Sequence, residues 1–370
     1  MCFEFFVADF YPRCNIALMN VPHNIYIHVP FCISKCNYCA FFSRACAAPD
    51  WDSYAKKIID EIKHWHNMLG RISVPTIFFG GGTPSLLPTE IFAKIINAIR
   101  ENFELFDDAE ITIEANPKTL DAIRLRGFCD AGANRISIGV QSFDDEKLRF
   151  LGRAHNADDA RRLIDIAMAQ VKNVSADFIY GLPSDSVDDV IKTCTEINKI
   201  GLPHCSMYEL TIEPNTPFGK MNLQMPSNET MAEMYMAIAK NLKLNRYEVS
   251  NYAADGFECR HNQNVWDGAP YIGIGDGAAG RILIDNIWHE EMGGGKLFKP
   301  LSDSERAIER VITGMRTRRG VLLDDATKKI IDIEFAKSNS DMIEFRHDNR
   351  VRATDAGILV LDNLIERLVK

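Results

Sequence analysis

The stretch "NIYIHVPFCISKCNYCAFF", residues 24–42, decides the fold. Its first seven residues are rich in β-branched and aromatic side chains and read as a strand. Three cysteines follow at once, Cys32, Cys36 and Cys39, spaced C-x-x-x-C-x-x-C. Phe41 stands where a fourth could complete a set. What three thiols hold is open at this point. A structural zinc wants four ligands, usually in pairs, and Cys46 or His28 would have to serve without a paired partner. A redox C-x-x-C is present as "CNYC", yet such a site has no use for Cys32. Three incidental buried cysteines would account neither for the spacing nor for the place after a strand. A cubane [4Fe–4S] cluster normally takes four thiolates, and three would leave one iron open to a cofactor or substrate.

Further strand-like runs follow: 74–82, 109–117, 133–143, 173–183 and 204–214. Amphipathic segments lie between most of them, with apolar residues at three- and four-residue steps in "DSYAKKIIDEIKHWHNML" and "TEIFAKIINAIREN". "NADDARRLIDIAMAQ" opens on Asn156, a suitable cap, with acidic residues in its first turn. Repeated βα units imply a parallel sheet and right-handed crossovers. The polar signals fall where successive strands end: the cysteines, then "GGGTP", "EANP", "GVQSF" and "YGLP". In (β/α) barrels that end carries the site. The expected fold is therefore α/β, a partial (β/α)6 barrel over residues 22–215.

Beyond 215 the pattern changes. A helix is expected in "NETMAEMYMAIAKNLKLN" and a strand in "RYEVSNYA", and "HNQNVWDGAPYIGIGDGAAG" is turn-rich. Residues 216–300 read as an extension of the barrel. Residues 301–370 read as a small, mainly helical, winged-helix-like domain ending in an amphipathic helix. Residues 1–21 read as a poorly ordered leader: the positive start of a signal peptide is missing, and Met19 offers an alternative start.

The chain has 370 residues, 46% hydrophobic and 25% charged, with a net charge of −9. That balance builds a sizeable core and argues against charge-driven nucleic-acid binding, which needs a basic face. No apolar run is long enough to span a bilayer. The other seven of the ten cysteines are scattered, unlike a secreted disulfide framework, so a reducing cytoplasm is expected.

The cysteine motif, followed by a βα repeat and a glycine-rich second strand end, resembles the radical S-adenosylmethionine (SAM) enzymes. "IYIHVPFC", "FFGGGTPSLL", "ITIEANP", "NRISIGVQSFDDEKLRFLGRAHN", "DFIYGLP" and "YELTIEPNTPF" resemble, in order, the oxygen-independent coproporphyrinogen oxidase-like family. "YEVSNYA", "CRHNQNVW" and "YIGIGDGAAG" are similar to its HemW branch of haem chaperones. The resemblance runs from about residue 22 to the C-terminus. It implies a radical SAM barrel with a [4Fe–4S] cluster on Cys32, Cys36 and Cys39, SAM on the open iron, and haem as cargo. The SAM site it implies comprises Tyr26, Tyr38, Gly81, Gly82, Thr83, Glu114, Gln141, Arg153, Asp177 and Thr211. The haem stretch it implies holds His261, Asn262 and Trp266. The expected partners are haem and a recipient haem protein such as a respiratory membrane enzyme, with a homodimer as a further option.

Two functions follow from the resemblance: a haem chaperone, or an oxidase that decarboxylates coproporphyrinogen III through a 5′-deoxyadenosyl radical. The oxidase carries a further cysteine at the position of Phe41 and a longer segment before the cluster, which favours the chaperone. Val265 replaces the Tyr of the branch, Ala279 replaces a His, and Ala40 replaces an Asp. These departures touch the haem stretch and the cluster loop but leave the three cysteines in place.

Overall fold

The core strands alternate between two chemistries. In β1 (Asn24–Val29), Ile25, Ile27 and Val29 are fully buried, while Asn24, Tyr26 and His28 occupy the opposite face. In β2 (Ser73–Gly81), Ile77 and Phe79 lie on the core side, and Thr76, Phe78 and Gly80 opposite. The same parity runs through β3 (Glu104–Ala115), β4 (Arg135–Gln141), β5 (Asn173–Tyr180) and β6 (His204–Glu209). Most isoleucines and valines take one face; Glu110, Thr112, Arg135, Ser137, Asp177 and Ser206 take the other.

The structure, a computed structural model, describes residues 21–293 and 297–370. Of the leader expected at 1–21, residues 1–20 lie outside them. Strands β1 to β6 pair in parallel in chain order. The intervening helices cover their apolar face: α1 (Trp51–Leu69), α2 (Thr89–Asn102), α3 (Ala122–Asp130), α4 (Asp145–Leu151), α5 (Ala157–Gln170) and α6 (Val187–Ile200). Helix α1 buries Tyr54, Ile58, Ile62, Trp65 and Leu69, a three- and four-residue stripe. Each such side chain contributes about 1.5–3 kcal/mol by leaving water. Asn156 caps α5 in a capping box with Asp159, and Ser186 does so for α6 with Asp189. The α/β barrel expected from the sequence is present, and the polar face of its strands is the lumen.

The sheet continues past both edges. After α7 (Asn228–Asn241), the expected strand "RYEVSNYA" proves to be two short ones, β7 (Asn245–Arg246) and β8 (Asn251–Ala253), antiparallel to each other, with β8 antiparallel to β6. The chain turns between them because Glu248 accepts the Ser250 N–H and the Asn251 side chain, each at 2.8 Å, and the Arg316 guanidinium at 3.0 Å.

The turn-rich stretch is more ordered than its glycines suggest. It forms α8 (Arg260–Trp266) and then β9 (Tyr271–Ile274), which pairs in parallel with β1. Strands β10 (Ala279–Ile284), β11 (Ile287–Met292) and β12 (Leu297–Leu301) follow antiparallel. The order is β12-β11-β10-β9-β1-β2-β3-β4-β5-β6-β8-β7.

The C-terminal part has its own core of Val311, Met315, Ile331, Val351, Leu364 and Leu368. It comprises α9 (Asp303–Met315), further short helices, a final helix over Leu361–Leu368 and a three-stranded sheet of Val321–Leu322, Arg350–Ala353 and Ile343–Phe345 in that order.

Candidate functional site

The cysteine loop leaves β1 and is pinned at both ends. Phe31–Cys32 pairs in parallel with Arg44–Ala45, and the Cys46 N–H donates to the Cys32 carbonyl at 3.0 Å. Between these ends, Asn37 donates its backbone N–H to Leu151 and its side-chain amide to Phe150, at 3.0 and 2.8 Å, fastening the loop to the end of α4. Cys32 is buried; Cys36 and Cys39 are half-buried. Burial pushes the Cys39 thiol up, and Cys36 and Cys32 push it further, so the three sulfurs are electrostatic neighbours. Among the described residues, no three His, Cys, Asp or Glu side chains converge as a single metal ion would require. In a cubane each thiolate takes its own iron, so that convergence is not needed there.

The three glycines at the end of β2 lie directly on β1 and the chain beyond it. A Cβ on Gly80 would sit 2.9 Å from the Tyr26 ring. One on Gly81, whose φ is +109°, would sit 2.5 Å from the His28 ring; one on Gly82 would sit 2.6 Å from the Phe31 carbonyl oxygen. Only glycine fits this close approach. His28 is itself fixed. Its Nε2 donates to the Phe42 carbonyl at 2.7 Å, so its Nδ1 accepts the Tyr26 hydroxyl at 3.0 Å, and burial keeps the ring neutral by lowering its pKa.

From this glycine turn a polar network crosses the barrel mouth. Glu114 accepts the Gly81 N–H at 3.2 Å. Asn116 donates to Thr83 Oγ1 at 3.0 Å and accepts from Arg153. Arg153 also donates to the Gly139 carbonyl at 2.8 Å and to Cys36 Sγ at 3.3 Å. Tyr38 packs beside Leu151, Leu182 and Phe218. Its phenol is pushed up by burial, with Arg153 opposing. Asp177 accepts from Ser137 at 3.1 Å, and burial raises its pKa, with Arg135 among the groups opposing. Burial first, and the Asp177 charge second, push Glu114 up to about 8. Gln141 adopts φ +66° at a bulge against β5.

Thus Tyr26, Tyr38, Gly81, Gly82, Thr83, Glu114, Gln141, Arg153 and Asp177 gather with the three cysteines at one end of the barrel. Thr211 stands apart, exposed beyond β6.

His261 lies at the other end, inside the lumen. It is 5% exposed, 5.2 Å from the Phe78 ring, and bonded through Nδ1 to Thr76 Oγ1 at 2.8 Å. The Thr76 hydroxyl donates to Asn24 at 2.8 Å, so Nδ1 carries the proton and Nε2 is left as an acceptor without a partner among the described residues. Burial, aided by Arg135, lowers the His261 pKa to about 3. Asn262, half-buried, follows on the same helix. Trp266 packs on Tyr247 at 6.0 Å, and its carbonyl accepts from Thr313 of α9 at 2.8 Å.

Three contributors were not singled out from the sequence. Asn116 sits two positions beyond Glu114 in the same "EANP" and links the glycine turn to Arg153. His28 figured only as a zinc ligand, whereas it is the platform under Gly81. Gly139 must lack a side chain, because a Cβ there would lie 2.9 Å from Gln141 Nε2 and 3.0 Å from Asn116 Oδ1. Its signal was the alternation in "RISIGVQ", which puts Arg135, Ser137 and Gly139 on one face.

A glycine-backed pocket beside clustered thiols agrees with the comparison to known families. The Radical SAM superfamily matches residues 26–197. The heme chaperone HemW of Escherichia coli is 38% identical over 268 residues, 71% of each chain. That of Lactococcus lactis is 30% identical over 383 residues, covering 95% of this chain and 98% of its own. The chain belongs to the HemW family of the radical SAM superfamily. Among solved structures, coproporphyrinogen III oxidase (HemN) from E. coli superposes with a TM-score of 0.78 over 94% of this chain and 90% of its own, at 20% identity. That likeness shows a shared fold. Membership of the superfamily implies a [4Fe–4S] cluster and SAM. The residues fit both: free thiols close together, a guanidinium beside Cys36, and a glycine cradle that any side chain would fill. No helix among the described residues is long and apolar enough to cross a membrane.

Proposed function

We propose that this HemW-family chain is a cytoplasmic haem chaperone, which binds haem and passes it to a recipient haem protein. Kinship with relatives named as haem chaperones, almost end to end in the L. lactis case, carries the reading. Phe41 agrees with it, an exposed phenylalanine where the oxidase has its additional cysteine. The working parts are taken as a barrel (22–215), an extension holding the haem stretch (216–300) and a C-terminal domain (301–370).

Cys32, Cys36 and Cys39 would hold three irons and leave the fourth to SAM. When bound, cluster and SAM supply one-electron chemistry. The chain's part is to position and shield them. Gly81 and Gly82 admit the amino-acid end of SAM against bare backbone, and Thr83 closes that turn. Arg153 suits a carboxylate, and Glu114, Gln141 and Asp177 suit hydroxyls, an ammonium or adenine edges. Tyr26 and Tyr38 wall the cofactor; Thr211 would have to approach from beyond β6. For haem, His261 offers Nε2, with Nδ1–H held by Thr76 as ligating histidines are commonly held. Asn262 and Trp266 follow along α8.

The test is anaerobic. The reconstituted protein is titrated with haem, and in parallel incubated with SAM, reductant and coproporphyrinogen III. The expected result is saturable haem binding, weakened in His261→Ala, transfer of haem to an apo-haem protein, and no protoporphyrinogen. Catalytic formation of protoporphyrinogen would replace the chaperone reading with the oxidase.

A further inference from the structure

The lumen holds a cation that no acceptor bonds directly. Arg135 opens β4 on the lumen face and is 2% exposed. Among the described residues it makes no hydrogen bond and no ion pair, and its Nε is shielded without a partner. Its neighbours in register, Thr112 on β3 and Asn173 on β5, each carry a shielded oxygen that is likewise unpartnered. Burial works against its charge, and acidic neighbours, Glu110 and Asp177 among them, raise its pKa overall, yet no acceptor meets its nitrogens directly.

The nearby carboxylates favour its charge but make no bond to it. Glu110 gives its oxygens to the first amides of α8, Arg260 N at 3.0 Å and His261 N at 2.9 Å. Asp177 is taken by Ser137, and Glu114 by the Gly81 amide. The remaining neighbours, Tyr247 and Cys259, carry no charge at neutral pH because burial pushes both up. Tyr208, on the lumen face of β6, is 41% exposed, so that face is open to solvent there. The lumen face thus carries polar side chains where (β/α) barrels commonly pack aliphatic layers.

We propose that Arg135 is a carboxylate anchor at the floor of the lumen, taking an acid group of the ligand whose body lies above it toward the barrel mouth. A guanidinium suits a carboxylate in a two-pronged bond, and an enclosed site strengthens it. The anchor rests on the haem reading only for the ligand's identity: the propionates of a haem would supply the carboxylate. Arg135 lies near enough to His261 to depress its pKa, so the anchor and the free Nε2 share one floor.

The test uses the full-length, cluster-loaded protein, with haem and its dimethyl ester titrated by absorbance and glutarate as a small carboxylate probe read by thermal melting. The wild type is expected to prefer the free acid by roughly tenfold or more, the worth of one charged hydrogen bond. R135Q is expected to bring that preference near unity, and R135K to keep much of it. Glutarate should raise the Tm of the wild type and not of R135Q. Without ligand, R135K, which keeps the charge beside Glu110 and Asp177, should melt with the wild type even if R135Q does not. A glutarate shift through Arg135 without haem binding would sink the chaperone reading and leave the anchor standing. The anchor is overturned if the wild type shows neither discrimination nor a glutarate shift, or if R135Q retains both. It is also overturned if R135Q and R135K both melt early, which would make Arg135 a structural residue.

Discussion

The mouth and the floor of this barrel are made by the same strands, yet they are finished in opposite ways. At the mouth the polar side chains already hold one another: Glu114 with Gly81, Asn116 with Thr83, Arg153 with Cys36 and Gly139, Asp177 with Ser137. At the mouth Arg153 keeps only its Nε shielded without a partner; at the floor Arg135, Thr112 and Asn173 each keep such an atom, and His261 keeps a free nitrogen. The mouth is built by loops that directly follow their strands. The floor is closed by α8, which returns after more than a hundred residues to lie under β1 and β2. A network pre-formed from its own loops positions what binds to it, whereas a floor with unpaired groups gains stability when a complementary ligand arrives.

The largest effect that could break this contrast lies in the cysteine loop. Cys36→Ala should drop the iron and acid-labile sulfide of reconstituted protein to background, with the fold retained by circular dichroism. Retention of a full cluster would remove the mouth from the cofactor reading.

Next comes the glycine cradle. Gly81→Ala combines a positive φ with a Cβ 2.5 Å from His28, and should cost about 1–3 kcal/mol in urea unfolding and abolish SAM binding. Gly70→Ala is the control, with φ +73° and open space around it; it should cost only about 1 kcal/mol and leave SAM binding unchanged.

The pH dependence sharpens the comparison further, because the two ends have opposite signs. Glu114 titrates near 4.5 unfolded and about 8 folded. The native state binds the extra proton in that window, so this group's stabilisation is full below 4.5 and is lost as pH rises to about 8. His261 titrates near 6.5 unfolded and about 3 folded. The unfolded state binds the extra proton, so its stabilisation is full above 6.5 and is lost as pH falls toward 3. Each slope is at most about 1.4 kcal/mol per pH unit. Between 4.5 and 6.5 the two oppose each other. Stability to denaturant across that window should therefore rise with pH more steeply in Glu114→Gln than in wild type, and fall with pH in His261→Gln. Parallel curves for all three proteins would show that neither end is enclosed as described.

The smallest effect is expected at the joint to the C-terminal part. Asp355 accepts from Arg246 at 2.6 Å and from Arg318 at 2.8 Å but is itself largely exposed. Asp355→Ala should cost less than about 1 kcal/mol and leave cluster and haem binding unchanged.

Much of the mouth was legible in advance because motif and geometry coincide there. A cysteine loop, a glycine turn and "EANP" each follow their strand immediately, so naming the strand places the residue. His28 and Asn116 were harder to see, since their roles lie in contacts with another strand's loop. "RYEVSNYA" failed as one strand because Glu248 answers to Arg316, a partner 68 residues away. The glycines around β9 concealed a strand whose pairing with β1 crosses the whole barrel.

By itself the sequence determined the parallel α/β barrel and the end at which its chemistry collects, because period-two strands, period-3.6 helices and strand-end motifs are local properties of the chain. Only the tertiary structure decided that the lumen is polar, that His261 faces into it with Nε2 free, and that Arg135 is left without a direct hydrogen bond. Burial and pairing depend on which distant strands and helices close around a side chain, and no local pattern records that closure.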